Sequence, residues 1–331
     1  MRHDIVNQDS HGPGSMFKMI SISLTLPPLR SIASVAAYAM AVMILAPSTA
    51  VAEEFYPPEV AQIHSGHSLT DTAMFQGTWP WHGPALIKHL GGSQARIGQS
   101  TIPGSPMQMR RETGPRHGKP DAWREITDWE ILVVTEGALT HPEALFPSGW
   151  QAESRHKKRE ELRIWRDHAW ANGNGGRGAA LFYYTNWPPH GKHPPAASWR
   201  ERLEVNEVEW LARVAHAEAT RPEGAPPIRI IPGNALMMRI YDDAEMGLVP
   251  GLANGQAFLA NRAGWWLDDV HSGPYLSLAL AYLHVAVIHG ADPMRLPHTG
   301  LGLDREPDRA LAIYLKATVR DIARSHGGDQ L

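Results

Sequence analysis

The chain has 331 residues, 43% hydrophobic and 20% charged, a balance that can bury a sizeable core and excludes disorder as the default. A formal net charge of -3 leaves no concentrated basic surface, so neither nucleic acid nor an anionic membrane is an expected partner. With 0 cysteines, disulfides, thiolate zinc sites and cysteine nucleophiles are excluded whatever the compartment.

The first ~50 residues read as export machinery. Lys18 and Arg30 precede the apolar stretch Ile32 to Ala46, and Ala50-Val51-Ala52 then supplies small residues at signal-peptidase spacing. Cleavage is expected after Ala52, with residues 53–331 as a single domain in the periplasm or outside the cell; Met16 and Met19 offer alternative starts. An uncleaved anchor is the competing reading, but the apolar run is shorter than the ~20 residues a membrane span needs. The basic run Arg155 to Arg159 is interleaved with Glu153, Glu160 and Glu161, the pattern of a solvated helix face.

Beyond Ala52, short apolar runs alternate with longer amphipathic stretches, which predicts parallel strands joined by helices. The runs are Val60 to His64, Ala95 to Ser100, Glu130 to Val134, Ala179 to Tyr184 and Ile228 to Ile231. Helices are expected over about Asp71 to Leu90, Glu153 to Ala171 and Trp199 to Ala219, the last with Val208, Leu211 and Ala215 on its apolar face. Tyr275 to His289 is apolar nearly all round and reads as a buried core helix. After Asp304, Leu311, Leu315, Val319 and Ile322 recur at helical spacing. The sum is a three-layer α/β sandwich on a doubly wound, five-stranded parallel sheet. In such sheets the ligand crevice lies beyond the carboxyl ends of the strands. That directs attention to the segments His64–Asp71, Thr101–Arg110, Thr135–Leu139, Thr185–Gly191 and Pro232–Ala235.

The first of these reads His64-Ser65-Gly66-His67-Ser68-Leu69-Thr70-Asp71: strand, glycine, serine, then a helix. Glycine permits a sharp turn, and free N–H groups at the helix start can stabilise an oxyanion. On this fragment alone Ser68 is equally a helix N-cap. A serine nucleophile needs a base, and Asp268-Asp269-Val270-His271 supplies a candidate. An aspartate three residues ahead of a histidine can accept from one ring nitrogen and leave the other facing the serine.

Gly66-His67-Ser68-Leu69-Thr70-Asp71 resembles the GDSL block that opens SGNH hydrolases, and Asp268-Asp269-Val270-His271 resembles their closing DxxH block. Tyr275 to His289 is similar to the family's terminal helix, so the resemblance runs from about Val60 to about Gly290. It implies a flavodoxin-like sandwich, with Ser68 as nucleophile, His271 as general base and then acid, and Asp268 as the residue that orients it. The family's second block supplies an oxyanion-hole glycine; Ile102-Pro103-Gly104-Ser105 stands there, and Gly104 N–H would join Ser68 N–H. An ordinary turn after proline is the other reading of Gly104. The third block departs: Thr135-Glu136-Gly137 replaces Gly-x-Asn. An ionised Glu136 in that place would oppose the developing charge, and losing such a donor costs roughly 3 to 4 kcal/mol in barrier. Either Glu136 points elsewhere or the chemistry is altered. His67 replaces the aspartate of the consensus and is no triad member by the resemblance.

Asn186, after the fourth strand, could reach the crevice, and Trp79, Trp81, Trp187 and Trp199 offer faces that stack on sugars or pack at a rim. Among the 18 histidines, His64 with His67, and His190 with His193, have zinc-like spacings but lack a third ligand. No metal or cofactor is expected. The expected function is ester hydrolysis through an acyl-Ser68 intermediate on a small-molecule or polysaccharide substrate, O-acylated carbohydrate being favoured. An acyltransferase, a lipid or aryl esterase, and a non-catalytic carbohydrate-binding relative are the alternatives.

Overall fold

All five apolar runs form strands, each beginning one or two residues later than the pattern suggested. The computed structural model describes residues 55–77, 81–115, 118–137, 148–191 and 198–327, with the backbone only for 148–157 and 327. The expected signal segment, Trp79 and His193 lie outside the described residues. The strands are β1 (Gln62–Gly66), β2 (Ile97–Thr101), β3 (Ile131–Val134), β4 (Ala180–Tyr184) and β5 (Arg229–Ile231). They form one parallel sheet in the order β2-β1-β3-β4-β5. The order reverses between β1 and β3, so a crevice is expected beyond the carboxyl ends of those two strands.

Alternation along the strands builds two cores. Ile131, Val133, Phe182 and Tyr184 face one apolar cluster, and Ile63, Leu132, Val134, Leu181 and Tyr183 face the other, as side chains pointing to opposite faces of a pleated sheet must. The first cluster is covered by helices α1 (Ser68–Met74), α2 (His82–His89), α6 (Gly233–Glu245), α8 (Pro274–His289) and α9 (Arg309–Gly327). The second is covered by α3 (Met107–Thr113) and α4 (Ser148–Gly176). The α5 helix (Trp199–Glu218) gives Trp199 and Leu203 to the first and Trp210 and Ala217 to the second. A short α7 (Gly255–Ala260) precedes α8. The α8 helix is buried almost throughout, and α9 buries Leu311, Leu315, Val319 and Ile322. Among the described residues no helix is long and apolar enough to cross a membrane.

Four expectations need correction. The single helix over Asp71 to Leu90 is two, α1 and α2, and Pro80 between them cannot continue a helix. Both the Thr101–Arg110 and Pro232–Ala235 loops are shorter than expected, because α3 and α6 start at Met107 and Gly233; neither start carries a side-chain cap to read from sequence. The buried face of α5 is not Val208, Leu211 and Ala215: Val208 is 49% exposed, and the buried residues are Trp199, Leu203, Asn206, Trp210, Arg213 and Ala217. Two of those six are polar, so an apolar pattern could not reveal the stripe. Ser198 completes a capping box with Glu201 at the start of that helix.

Candidate active site

Gly66 ends β1 by steric necessity. A Cβ there would lie 1.9 Å from Thr70 Oγ1, so only glycine lets α1 fold back against its own strand. His67 is the N-cap in extended conformation, and Ser68 is the first helical residue; the capping role open to Ser68 in the sequence belongs to His67. Three N–H groups of the first turn are satisfied by this one residue. Leu69 N–H donates to His67 Nδ1 at 3.3 Å, and Thr70 and Asp71 N–H donate to its carbonyl at 2.8 and 3.1 Å. Among the described residues, Ser68 N–H alone in that turn has no protein acceptor, at the positive end of the helix dipole.

Asp268 and His271 come from a tight loop before α8. Leu267 N–H donates to His271 O at 2.9 Å, and an antiparallel bridge joins Trp266 to Ser272. Asp268 Oδ1 accepts from the backbone of Val270 and His271, both at 2.8 Å, and Oδ2 lies 2.6 Å from His271 Nδ1. His271 Nε2 lies 2.7 Å from Ser68 Oγ. With Nδ1–H donating to Asp268, Nε2 carries the lone pair and accepts from the Ser68 hydroxyl, the tautomer assigned from the network. Partial burial opposes ionisation of Asp268, but the His271 N–H, its ring and the Val270 N–H hold the carboxyl at about 2. The sequence thus named three residues, 203 positions apart at the extremes, that meet at hydrogen-bond distance.

The other expected site residues divide. Glu136 points away: Oε1 accepts from Met107 N–H, at the start of α3, and from Gly137 N–H at 3.1 and 2.6 Å, while Oε2 lies 3.9 Å from Arg213 Nη1. Its charge therefore serves a helix N-terminus and does not oppose an oxyanion. Asn186 is fully buried and does not line a crevice. Its amide donates to Glu136 O at 2.6 Å and Thr135 Oγ1 at 3.0 Å, fixing the loop after β3. Trp187 is also fully buried, and its Nε1–H donates to Val270 O at 2.8 Å. Trp199 is buried too, donating to Pro188 O at 2.8 Å. Neither indole offers a face to a sugar; Trp187 instead braces the Asp268–His271 loop.

Gly104 sits in the turn closed by Ser105 N–H to Ile102 O at 3.2 Å, with φ of +68°. Pairing of Gly66 with Thr101 brings this turn and Ser68 off the same edge of the sheet from adjacent strands. Of the zinc-like pairs, His64 lies buried beside His284 while His67 caps α1, and no group of three or more His, Asp or Glu able to hold a metal occurs among the described residues.

Two arginines escaped the sequence reading. Arg110, buried in α3, donates through Nε to Ser65 Oγ at 3.1 Å, through Nη1 to Ser105 O at 2.6 Å and through Nη2 to Thr135 O. One guanidinium thereby ties the ends of β1, β2 and β3 together. Burial lowers its pKa to about 10 despite Glu136 nearby, so it stays charged at neutral pH. Arg262 donates to Asp268 O and to Asp269 Oδ1, holding the Asp268–His271 loop from the solvent side. Neither lies in a motif: Arg110 is revealed by contacts 45 and 25 positions away, and Arg262 by the fold of a loop only six and seven positions on.

No family model matches the sequence, and no curated protein matches it. Among solved structures the chain is similar to a DUF4886 family protein from Bacteroides uniformis, at 13% identity and a TM-score of 0.49 over 82% of this chain and 98% of that one. It is also similar to the Bacillus subtilis protein YxiM, at 14% identity and a TM-score of 0.40 over 69% of this chain and 55% of that one. Likenesses at this distance carry no argument about chemistry, and the reading of the site rests on its own geometry.

Proposed function

We propose that the protein is an exported serine hydrolase of ester bonds. The observation that carries the reading is the 2.7 Å approach of Ser68 Oγ to His271 Nε2, with Asp268 at 2.6 Å behind the ring. Ser68 Oγ attacks the acyl carbon while His271 Nε2 takes the hydroxyl proton. Ser68 N–H and Gly104 N–H receive the oxyanion. Collapse breaks the ester C–O bond, His271 returns the proton to the departing alkoxide, and acyl-Ser68 remains. Water then attacks that carbonyl, giving its proton to His271, and release of the carboxylic acid restores Ser68.

A hole built from two backbone donors lacks the asparagine of the resembling family, so turnover about 10²- to 10³-fold below a three-donor relative is expected. The favoured substrate is an O-acylated carbohydrate, as the resemblance implies for exported members. The ring-stacking support for it falls away at Trp187 and Trp199. Export is proposed from Lys18, Arg30, the apolar stretch and Ala50-Val51-Ala52.

A fluorophosphonate probe should label the wild-type protein and leave Ser68→Ala untouched. An unlabelled wild-type protein that is fully folded would sink the proposal. Acetate release with and without an added sugar acceptor separates hydrolysis from transfer.

A further inference from the structure

His67 does more than begin a helix. It is 3% exposed, and its two ring nitrogens are engaged by different elements. Nδ1 receives Leu69 N–H at 3.3 Å from its own helix, and Nε2 lies 3.0 Å from Glu136 O in the loop after β3. A backbone N–H can only donate, so Nδ1 carries the lone pair; a carbonyl can only accept, so Nε2 carries the hydrogen. The neutral Nε2–H tautomer therefore satisfies both contacts. The alternative tautomer satisfies neither, and the imidazolium loses the cap. The Asn186 amide nitrogen lies 3.3 Å from Nε2, but its two hydrogens already go to Glu136 O and Thr135 Oγ1.

Glu136 O is itself fixed, accepting at 2.6 Å from the Asn186 amide, which also reaches Thr135 Oγ1 at 3.0 Å. Arg110 holds Thr135 O from the other side. The acceptor is thus held from two sides just beyond β3, across the strand-order reversal. With Leu69, Thr70 and Asp71 N–H all claimed by His67, the Ser68 N–H is left as the turn's available donor.

We propose that His67 is a positioning residue for the reaction: in its Nε2–H tautomer it clamps the nucleophile-bearing turn to the loop after β3, fixing both Ser68 Oγ and the Ser68 N–H. The inference rests on the serine-hydrolase reading. The groups facing His67 favour the neutral ring. Burial is the main cause, followed by the positive charge of Arg110, with a lesser push from His271, while the Glu136 carbonyl acts the other way; together they lower its pKa to about 4. The Glu136 carboxylate is turned to Met107 and Gly137 N–H and offers the ring no counter-charge.

Two variants divide the clamp. His67→Asn keeps an acceptor for Leu69 N–H and loses the reach to Glu136 O; His67→Gln keeps the reach and loses the local cap. Each should slow turnover of a p-nitrophenyl ester, and fluorophosphonate labelling of Ser68, by roughly 10- to 100-fold, because misplacement on the scale of 1 Å costs about that much. The loss should fall on kcat, with KM nearly unchanged. The wild-type labelling rate should show an extra fall near pH 4 that His67→Asn lacks. Nitrogen chemical shifts of the wild-type His67 ring should report a protonated Nε2 and a bare Nδ1 at pH 7. Wild-type rates in both folded variants would overturn the proposal, as would a protonated Nδ1 at pH 7. The ring measurement needs no turnover, so it decides the clamp even where variants fold poorly; absence of wild-type labelling would instead strike the hydrolase reading.

Discussion

The two halves of the site are held in opposite ways. The turn that carries Ser68, the proposed nucleophile, is set by the interior: Gly66 packs against Thr70, His67 is buried, and Arg110 joins three strand ends. The Asp268–His271 loop, the proposed source of acid and base, stands at the surface, with the Asp268 side chain 55% and the His271 side chain 28% exposed. It is held by its own backbone, by Trp187 from the core side and by Arg262 from solvent. A position defined by core packing has no slack, because interiors are as dense as crystals. One defined by surface bonds is adjustable, because exposed ion pairs contribute only about 0 to 1 kcal/mol. Damage to the first half should register as lost stability together with lost rate, and damage to the second mainly as lost rate.

The largest effect expected is from His271→Ala, which removes the base outright and leaves the buried half intact. Ester turnover should fall on the order of 10⁵- to 10⁶-fold, with a urea midpoint close to wild type. A matching loss of stability would mean that the loop is not the loosely coupled half. Asp268→Asn comes next. A buried triad aspartate is worth about 10⁴ in kcat; an exposed one should cost less, roughly 10²- to 10³-fold, read from initial rates. Asp268 also titrates below the ~3.9 of an unfolded aspartate, at about 2. Its ionised form therefore adds stability above about pH 4 that disappears as pH falls towards 2. Urea midpoints measured at pH 6, 4 and 3 should decline less steeply in Asp268→Asn than in wild type.

Gly66→Ala probes the buried half. The added methyl must displace Thr70 and with it the first turn of α1, costing about 1 to 3 kcal/mol of stability and lowering the Ser68 labelling rate about tenfold or more. Unchanged stability would show that the strand-to-helix turn is softer than its packing indicates. Arg262→Ala should have the smallest effect, a few-fold fall in kcat and less than about 1 kcal/mol in stability, because Asp268 retains its bonds to Val270 and His271. A hundredfold loss there would mean that the outer brace, and not the loop backbone, positions the base.

Much of this was legible in the residues, for reasons that differ by element. Strands buried on both faces are near-continuous apolar runs, so Ile131–Val134 and Ala180–Tyr184 announce themselves. The α9 stripe is a clean helical repeat. Ser68, Asp268 and His271 could be named because the proposed chemistry requires those residue types in two short local patterns, a serine after a glycine turn and an aspartate three residues before a histidine. The α5 face was misread because Asn206 and Arg213 occupy buried positions that pattern assigns to apolar residues.

What the sequence determined by itself was the layer architecture and three side chains that meet at hydrogen-bond distance, since periodicity and residue chemistry are local properties. What only the tertiary structure decided was where each buried polar group finds its partner. Glu136 turned to the α3 N-terminus, Asn186 became a loop tie, Trp187 became a brace, His67 took the cap, and Arg110 joined three strand ends. A buried donor or acceptor must be satisfied by something. Which atom does so is set by chain segments tens of residues away, and no local spacing records that choice.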